Sequence, residues 1–182
     1  KRGGKISFNV SDIMPEGTGE AYIKFLQLKE KLEKQGIFDQ QHKKPLPFFV
    51  SKLGVVTSKT GAVLHDIKSV AAKKYGGLDI LLYSSAVQGK GSEFEIARGV
   101  EVLDGAGVDL IIVARGGGSA EDLMPFNTET VARAVYKCNT PIVSAVGHET
   151  DYTLCDLAAD ARAATPTAAA EITLPDAKQL AE

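Results

Sequence analysis

Three short turns in this chain carry Arg, His, Asp, Ser and runs of Gly at spacings that suit chemistry on a phosphodiester. They are Thr57-Ser-Lys-Thr-Gly61, followed by Asp66; Arg115-Gly-Gly-Gly-Ser119; and Gly147-His-Glu-Thr-Asp151. Phosphodiester hydrolysis needs a group that moves protons and groups that hold the charge growing on the non-bridging oxygens. His148, with an ordinary pKa close to neutrality, suits the first task. The planar fork of Arg115 suits the second, helped by the N–H groups of Gly116, Gly117 and Gly118 and by Ser119. Asp66 and Asp151 could orient His148 or hold a divalent ion.

Glycine backbone can take positive φ and approach an anion closely, beside the positive end of a following helix. Ser58, with Lys59 and neighbouring N–H groups, offers a second place for a phosphate oxygen. Two carboxylates and an imidazole also suit Mg²⁺ or Mn²⁺, with Asp66 and Asp151 as ligands, and they equally allow hydrolysis without metal.

These groups are useful only if the fold brings them together. Asp109-Leu-Ile-Ile-Val-Ala114 is an apolar, strand-length run leading into the Arg115 turn, and Ser119-Ala-Glu-Asp122 reads as a capping box opening a helix. Pro141-Ile-Val-Ser-Ala-Val146 is a second strand, and the Gly147 turn leads into a helix through Leu154 and Leu157. If helical spacing already holds in that turn, His148 and Asp151 project from one side. Upstream, strands at Leu53–Thr57 and Asp79–Ser84 alternate with helices at about Gly61–Tyr75 and Phe94–Ala106. Such βα alternation predicts one α/β domain, a mainly parallel sheet of four or more strands covered by helices. Ligands of such sheets bind at the carboxyl ends of strands, where all three turns fall.

The rest of the chain is read more briefly. Gly19–Gln35 has the apolar spacing of an amphipathic helix ended by Gly36, and His42-Lys-Lys-Pro-Leu-Pro47 reads as a solvated connector. Pro166 suits the first position of a helix capped by Thr165. The expected division is a strand within 1–12, a helix and linker over 13–52, and the α/β domain over 53–182.

Composition bounds the alternatives. At 182 residues and 44% apolar content the chain can bury one good core. No apolar run is long enough to span a bilayer, and two cysteines are too few for a disulfide framework, which fits a reducing cytoplasm and no membrane partner. A net charge of −2 is not that of a duplex-binding module. The Thr57–Gly61 turn lacks the Gly-Lys-Ser/Thr of a P-loop, and no Gly-x-Gly-x-x-Gly follows the first strand, which disfavours a nucleotide-dependent enzyme. Taken singly, a glycine triplet is most often a turn and a lone His most often structural. The rival to catalysis is therefore a module that binds a phosphate ligand or another subunit without turning anything over.

The motifs in order, Gly54-Val-Val-Thr-Ser-Lys-Thr-Gly61 with Asp66, Arg115-Gly-Gly-Gly-Ser-Ala-Glu-Asp-Leu123 with Phe126-Asn127, and Val143-Ser-Ala-Val-Gly-His-Glu-Thr-Asp151 with Ala159-Asp160 and Arg162, are specific. Together they resemble the large subunit of bacterial exodeoxyribonuclease VII over most of the chain. The resemblance implies an ATP-independent nuclease that degrades single-stranded DNA from both ends to oligonucleotides, with several copies of a small subunit as partner. It implies Asp66, Arg115, His148 and Asp151 as the catalytic set. It further implies a preceding oligonucleotide-binding barrel, whose last strand would lie in 1–12, and a following helical region; the domain alone should then fold but hydrolyse DNA weakly. Met124-Pro125 stands where the family often has an aromatic residue, and the chain has no Trp, so the resemblance lends no support to base stacking.

Overall fold

The computed structural model describes residues 18–59, 62–74, 77–117, 120–147 and 151–175. The strand expected in 1–12, the residues Gly118, Ser119 and His148, and the chain after Pro175 lie outside the described residues. Five strands, β1 (Lys52–Thr57), β2 (Asp79–Ser84), β3 (Leu110–Ala114), β4 (Ile142–Ala145) and β5 (Ala161–Arg162), form one sheet in the order β2-β1-β3-β4-β5. Every pairing is parallel, as the alternation predicts. The helices are α1 (Thr18–Lys34), α2 (Ala62–Lys74), α3 (Ser92–Gly105), α4 (Glu129–Lys137), α5 (Leu154–Ala158) and α6 (Pro166–Thr173).

Strands buried on both faces read as continuous apolar runs, which is how Leu110–Ala114 and Ile142–Ala145 read; every residue of both is buried. Alternate side chains divide between two layers. Leu53, Val55, Leu110, Ile112 and Val143 pack beneath α2 and α6, while Val56, Ile111, Val113 and Ile142 pack against α3, α4 and α5. Leu32 and Ile37 bring α1 and the residues after it into that second layer. Burying each such side chain contributes about 1.5–3 kcal/mol. α3 lies so close to β2 that a Cβ on Gly99 would stand 2.6 Å from the Tyr83 ring, so only glycine lets the two elements approach this far.

Three local features differ from expectation. The segment after the Arg115 turn is a 3₁₀ run, Ala120–Asn127, and not the start of an α-helix; Pro125 inside it removes a backbone donor, and α4 begins only after its cap, Thr128. β5 was not expected at all, because two residues are too few to show a period. The His42–Pro47 stretch is not a solvated connector: Lys43 Nζ donates to the carbonyls of Leu157 and Ala159 at 2.5 and 2.6 Å. Lys44 donates its N–H to Asp160 at 2.7 Å, with its Nζ 3.1 Å from the same carboxylate.

Candidate active site

In the order β2-β1-β3-β4-β5 the connections leave β1 and β3 in opposite directions, so a crevice opens between their carboxyl ends. A cleft of about 290 Å³ lies next to that crevice, over the carboxyl ends of β3 and β4 and between the starts of α2 and α6, lined among others by Asp66 of α2, Arg115, Gly116 and Gly117 after β3, Ala145 and Val146 at the end of β4, and Thr165 and Thr167 at the start of α6. Thr165 caps α6 by accepting from the N–H of Ala168 at 3.0 Å, with Pro166 at the first helical position. The positive end of α6 therefore faces the same cleft as the Arg115 turn, a combination that favours an anion.

Asp66 is half-exposed on the first turns of α2, where a ligand in the cleft could reach it. His65 Nδ1 stands 4.0 Å from its Oδ1, at the limit of an ion pair, and points into solvent with 86% of its side chain exposed. Arg115 lines the cleft, but its side chain is only 4% exposed and its Nη1 lies 3.8 Å from Asp122 Oδ2. Asp122 thus sets a negative charge beside the buried guanidinium.

Gly116 and Gly117 do not use positive φ; among described glycines that conformation belongs to Gly36, Gly89, Gly91 and Gly107. A Cβ on Gly117 would meet nothing, and one on Gly116 would meet only Val63 at 3.9 Å. Their value is therefore the room they leave, since both border the cleft. Ser58 is half-buried and outside the cleft lining.

The turn after β4 is built differently from the helical reading. Asp151 and Tyr152 precede the cap of α5, which is Thr153, so Asp151 stands before that helix and not in its first turn. Asp151 is exposed and does not line the cleft. A Cβ on Gly147 would collide with the carbonyl oxygen of Asp151 and stand 2.5 Å from Asp156 Oδ2, so the chain closes tightly on this glycine.

Behind the turn is a buried network that sequence reasoning did not pick out. Asp156, 5% exposed, accepts from Ser144 Oγ at 2.6 Å, Thr153 N–H at 2.8 Å and Thr153 Oγ1 at 2.7 Å. Asn127 Oδ1 accepts from Leu154 N–H at 3.0 Å and ties the end of the 3₁₀ run to the start of α5. The signal was present as Thr153-x-x-Asp156, a capping box, masked by the assumption that the helix begins nearer Gly147.

No group of three His, Cys, Asp or Glu side chains placed to hold a metal ion occurs among the described residues. Burial, followed by the neighbouring Asp104 or Asp156 charge, pushes the Cys138 and Cys155 thiols up to about 12, so neither is a nucleophile. No helix among the described residues is long and apolar enough to cross a membrane.

Residues 37–182 match the family model for exonuclease VII, large subunit. The exodeoxyribonuclease 7 large subunit of Ruminiclostridium cellulolyticum is 48% identical over 181 residues, 99% of this chain and 45% of that one. That of Halothermothrix orenii is 49% identical over 172 residues, 94% of this chain and 42% of its own. That of Alkaliphilus metalliredigens is 49% identical over 183 residues, 100% of this chain and 45% of its own. The chain thus spans less than half the length of these relatives. With the family match covering both strand-end turns and the cleft they border, the chain belongs to the exonuclease VII large-subunit family.

Proposed function

We propose that this domain hydrolyses phosphodiester bonds of single-stranded DNA, from both ends, to oligonucleotides, without ATP. What carries the reading is family membership together with a cleft at the carboxyl ends of β3 and β4 bordered by Asp66, Arg115, Gly116 and Gly117. Water attacks phosphorus and the bond to the leaving oxygen breaks; His148 accepts the water's proton and returns one to that oxygen. Arg115, with the N–H groups of Gly116 and Gly117, holds the non-bridging oxygens where charge grows. Asp151 or Asp66 orients the imidazole or, with the DNA phosphate and water, would hold a Mg²⁺ ion, which needs only one or two protein carboxylates. The relatives are named large subunits, which supports a further, smaller subunit as partner; this reading takes single-stranded DNA as substrate and several copies of that subunit.

The test is single-stranded DNA labelled at the 5′ or the 3′ end, incubated without ATP with the assembled enzyme that contains this domain. Release of both labels, with duplex DNA intact, is the expected result. Release of one label alone contradicts attack from both ends, and intact DNA contradicts the nuclease reading. The rival, a binding module, draws on Asp151 lying outside the cleft lining. It predicts phosphate binding with no DNA cleavage.

A further inference from the structure

We infer that Tyr152, backed by Arg162, is a base-stacking platform at the carboxyl edge of the sheet, across that edge from the cleft, taking a nucleobase of the DNA strand on its open face. The inference deepens the nuclease reading and rests on it. Tyr152 directly follows Asp151 and stays 53% exposed, although the next residues, Thr153 and Leu154, are 1% and 0% exposed. The Arg162 guanidinium carbon sits 4.0 Å above the ring centroid and covers one face. The surface still open therefore includes the opposite face. A ring that served only to fill the core would be buried.

Its place fits a substrate strand. Arg162 ends β5, in register with Ser144 of β4. The residues just beyond each of these, Ala164 and Thr165 after β5 and Ala145 and Val146 after Ser144, line the cleft. The ring thus stands at the carboxyl edge of the sheet on the α5 side, across that edge from the cleft, which opens on the side of α2 and α6. Its backbone is held from below, because Thr153 is locked to Asp156 and Leu154 to Asn127, so little ordering cost remains for stacking. A cation behind the ring draws electron density from it and strengthens its attraction for an electron-rich base. Stacking reads no base edge, which suits an enzyme that must degrade any sequence.

The test uses the assembled enzyme and single-stranded oligonucleotides, intact or carrying one abasic residue stepped through positions near the end. Tyr152→Ala raises KM about 5- to 100-fold with kcat nearly unchanged, the size expected for one lost base stack. Tyr152→Leu, which still covers Arg162 but offers no π face, gives the same rise, whereas Tyr152→Phe keeps the wild-type KM. An abasic residue at one register raises KM for wild type and adds nothing in Tyr152→Ala. Three results would each overturn the inference: KM within twofold of wild type in Tyr152→Ala, Tyr152→Phe as impaired as Tyr152→Ala, or an abasic penalty equal in both proteins. If wild type leaves DNA intact, the nuclease reading falls and this inference with it; if wild type cleaves and Tyr152→Ala behaves identically, stacking alone falls.

Discussion

Gly147 is the tightest point of the turn that carries His148 and Asp151 in sequence. A methyl group there must displace either the Asp151 carbonyl or the buried Asp156 carboxylate. Gly147→Ala is therefore expected to cost about 1–3 kcal/mol, the range for overpacking a filled site, read as a lower thermal midpoint. Asp156 stabilises the same turn by a different means. Asp156→Ala leaves Ser144 Oγ and the Thr153 N–H without their acceptor in a dry environment, at a cost of about 2–3 kcal/mol in denaturant unfolding. Asp66 and Arg115 were legible in the sequence because strand ends and glycine turns place them where such sheets bind ligands. Arg115's pairing with Asp122 was not, since nothing in residue type says that a 3₁₀ run will fold back over the guanidinium.

The strands and long helices follow from patterns that act over many residues, so β1 to β4 and α1 to α3 stand close to where apolar period and glycine punctuation put them. What escaped are elements decided by tertiary contact, namely β5 and the His42–Pro47 stretch whose lysines satisfy the carbonyls at the end of α5. Asp104 is another such contact. Its carboxylate, at the end of α3, accepts from Thr140 Oγ1 at 2.7 Å and from the Thr140 N–H at 2.8 Å, holding the approach to β4. Burial pushes its pKa up, but the Thr140 hydroxyl and the Asn139 and Thr140 N–H groups outweigh that and bring it from 3.8 down to about 2. A carboxylate whose pKa falls on folding stabilises above its unfolded value and loses that contribution as the pH drops through the folded one. Asp104→Asn should therefore be about 1–2 kcal/mol less stable near pH 7. The gap to wild type should close between about pH 4 and pH 2, followed by denaturation at stepped pH.

At the level of the molecule, the parallel sheet explains where the chemistry sits: all its carboxyl ends lie along one edge, and there Asp66, Arg115 and the start of α6 meet in one cleft. The two cysteines lie deep in the layer holding α3, α4 and α5, with pKa values pushed up to about 12. Native protein at pH 8 should resist alkylation for hours and react at both sites once unfolded in urea, as mass spectrometry would record. The central claim is that the cleft bordered by Asp66 and Arg115 is where DNA is cut. Its most direct test is single-turnover cleavage of end-labelled single-stranded DNA by the assembled enzyme, comparing wild type with Asp66→Asn and His148→Ala, each checked for an unchanged thermal midpoint. The account predicts that His148→Ala is slowed by about 10²- to 10⁴-fold, the usual loss when a proton-transfer group is removed, and that Asp66→Asn is slowed at least about tenfold by loss of the carboxylate that supports it. Variants that fold normally and cleave within twofold of wild type would contradict it and move the chemistry out of this cleft.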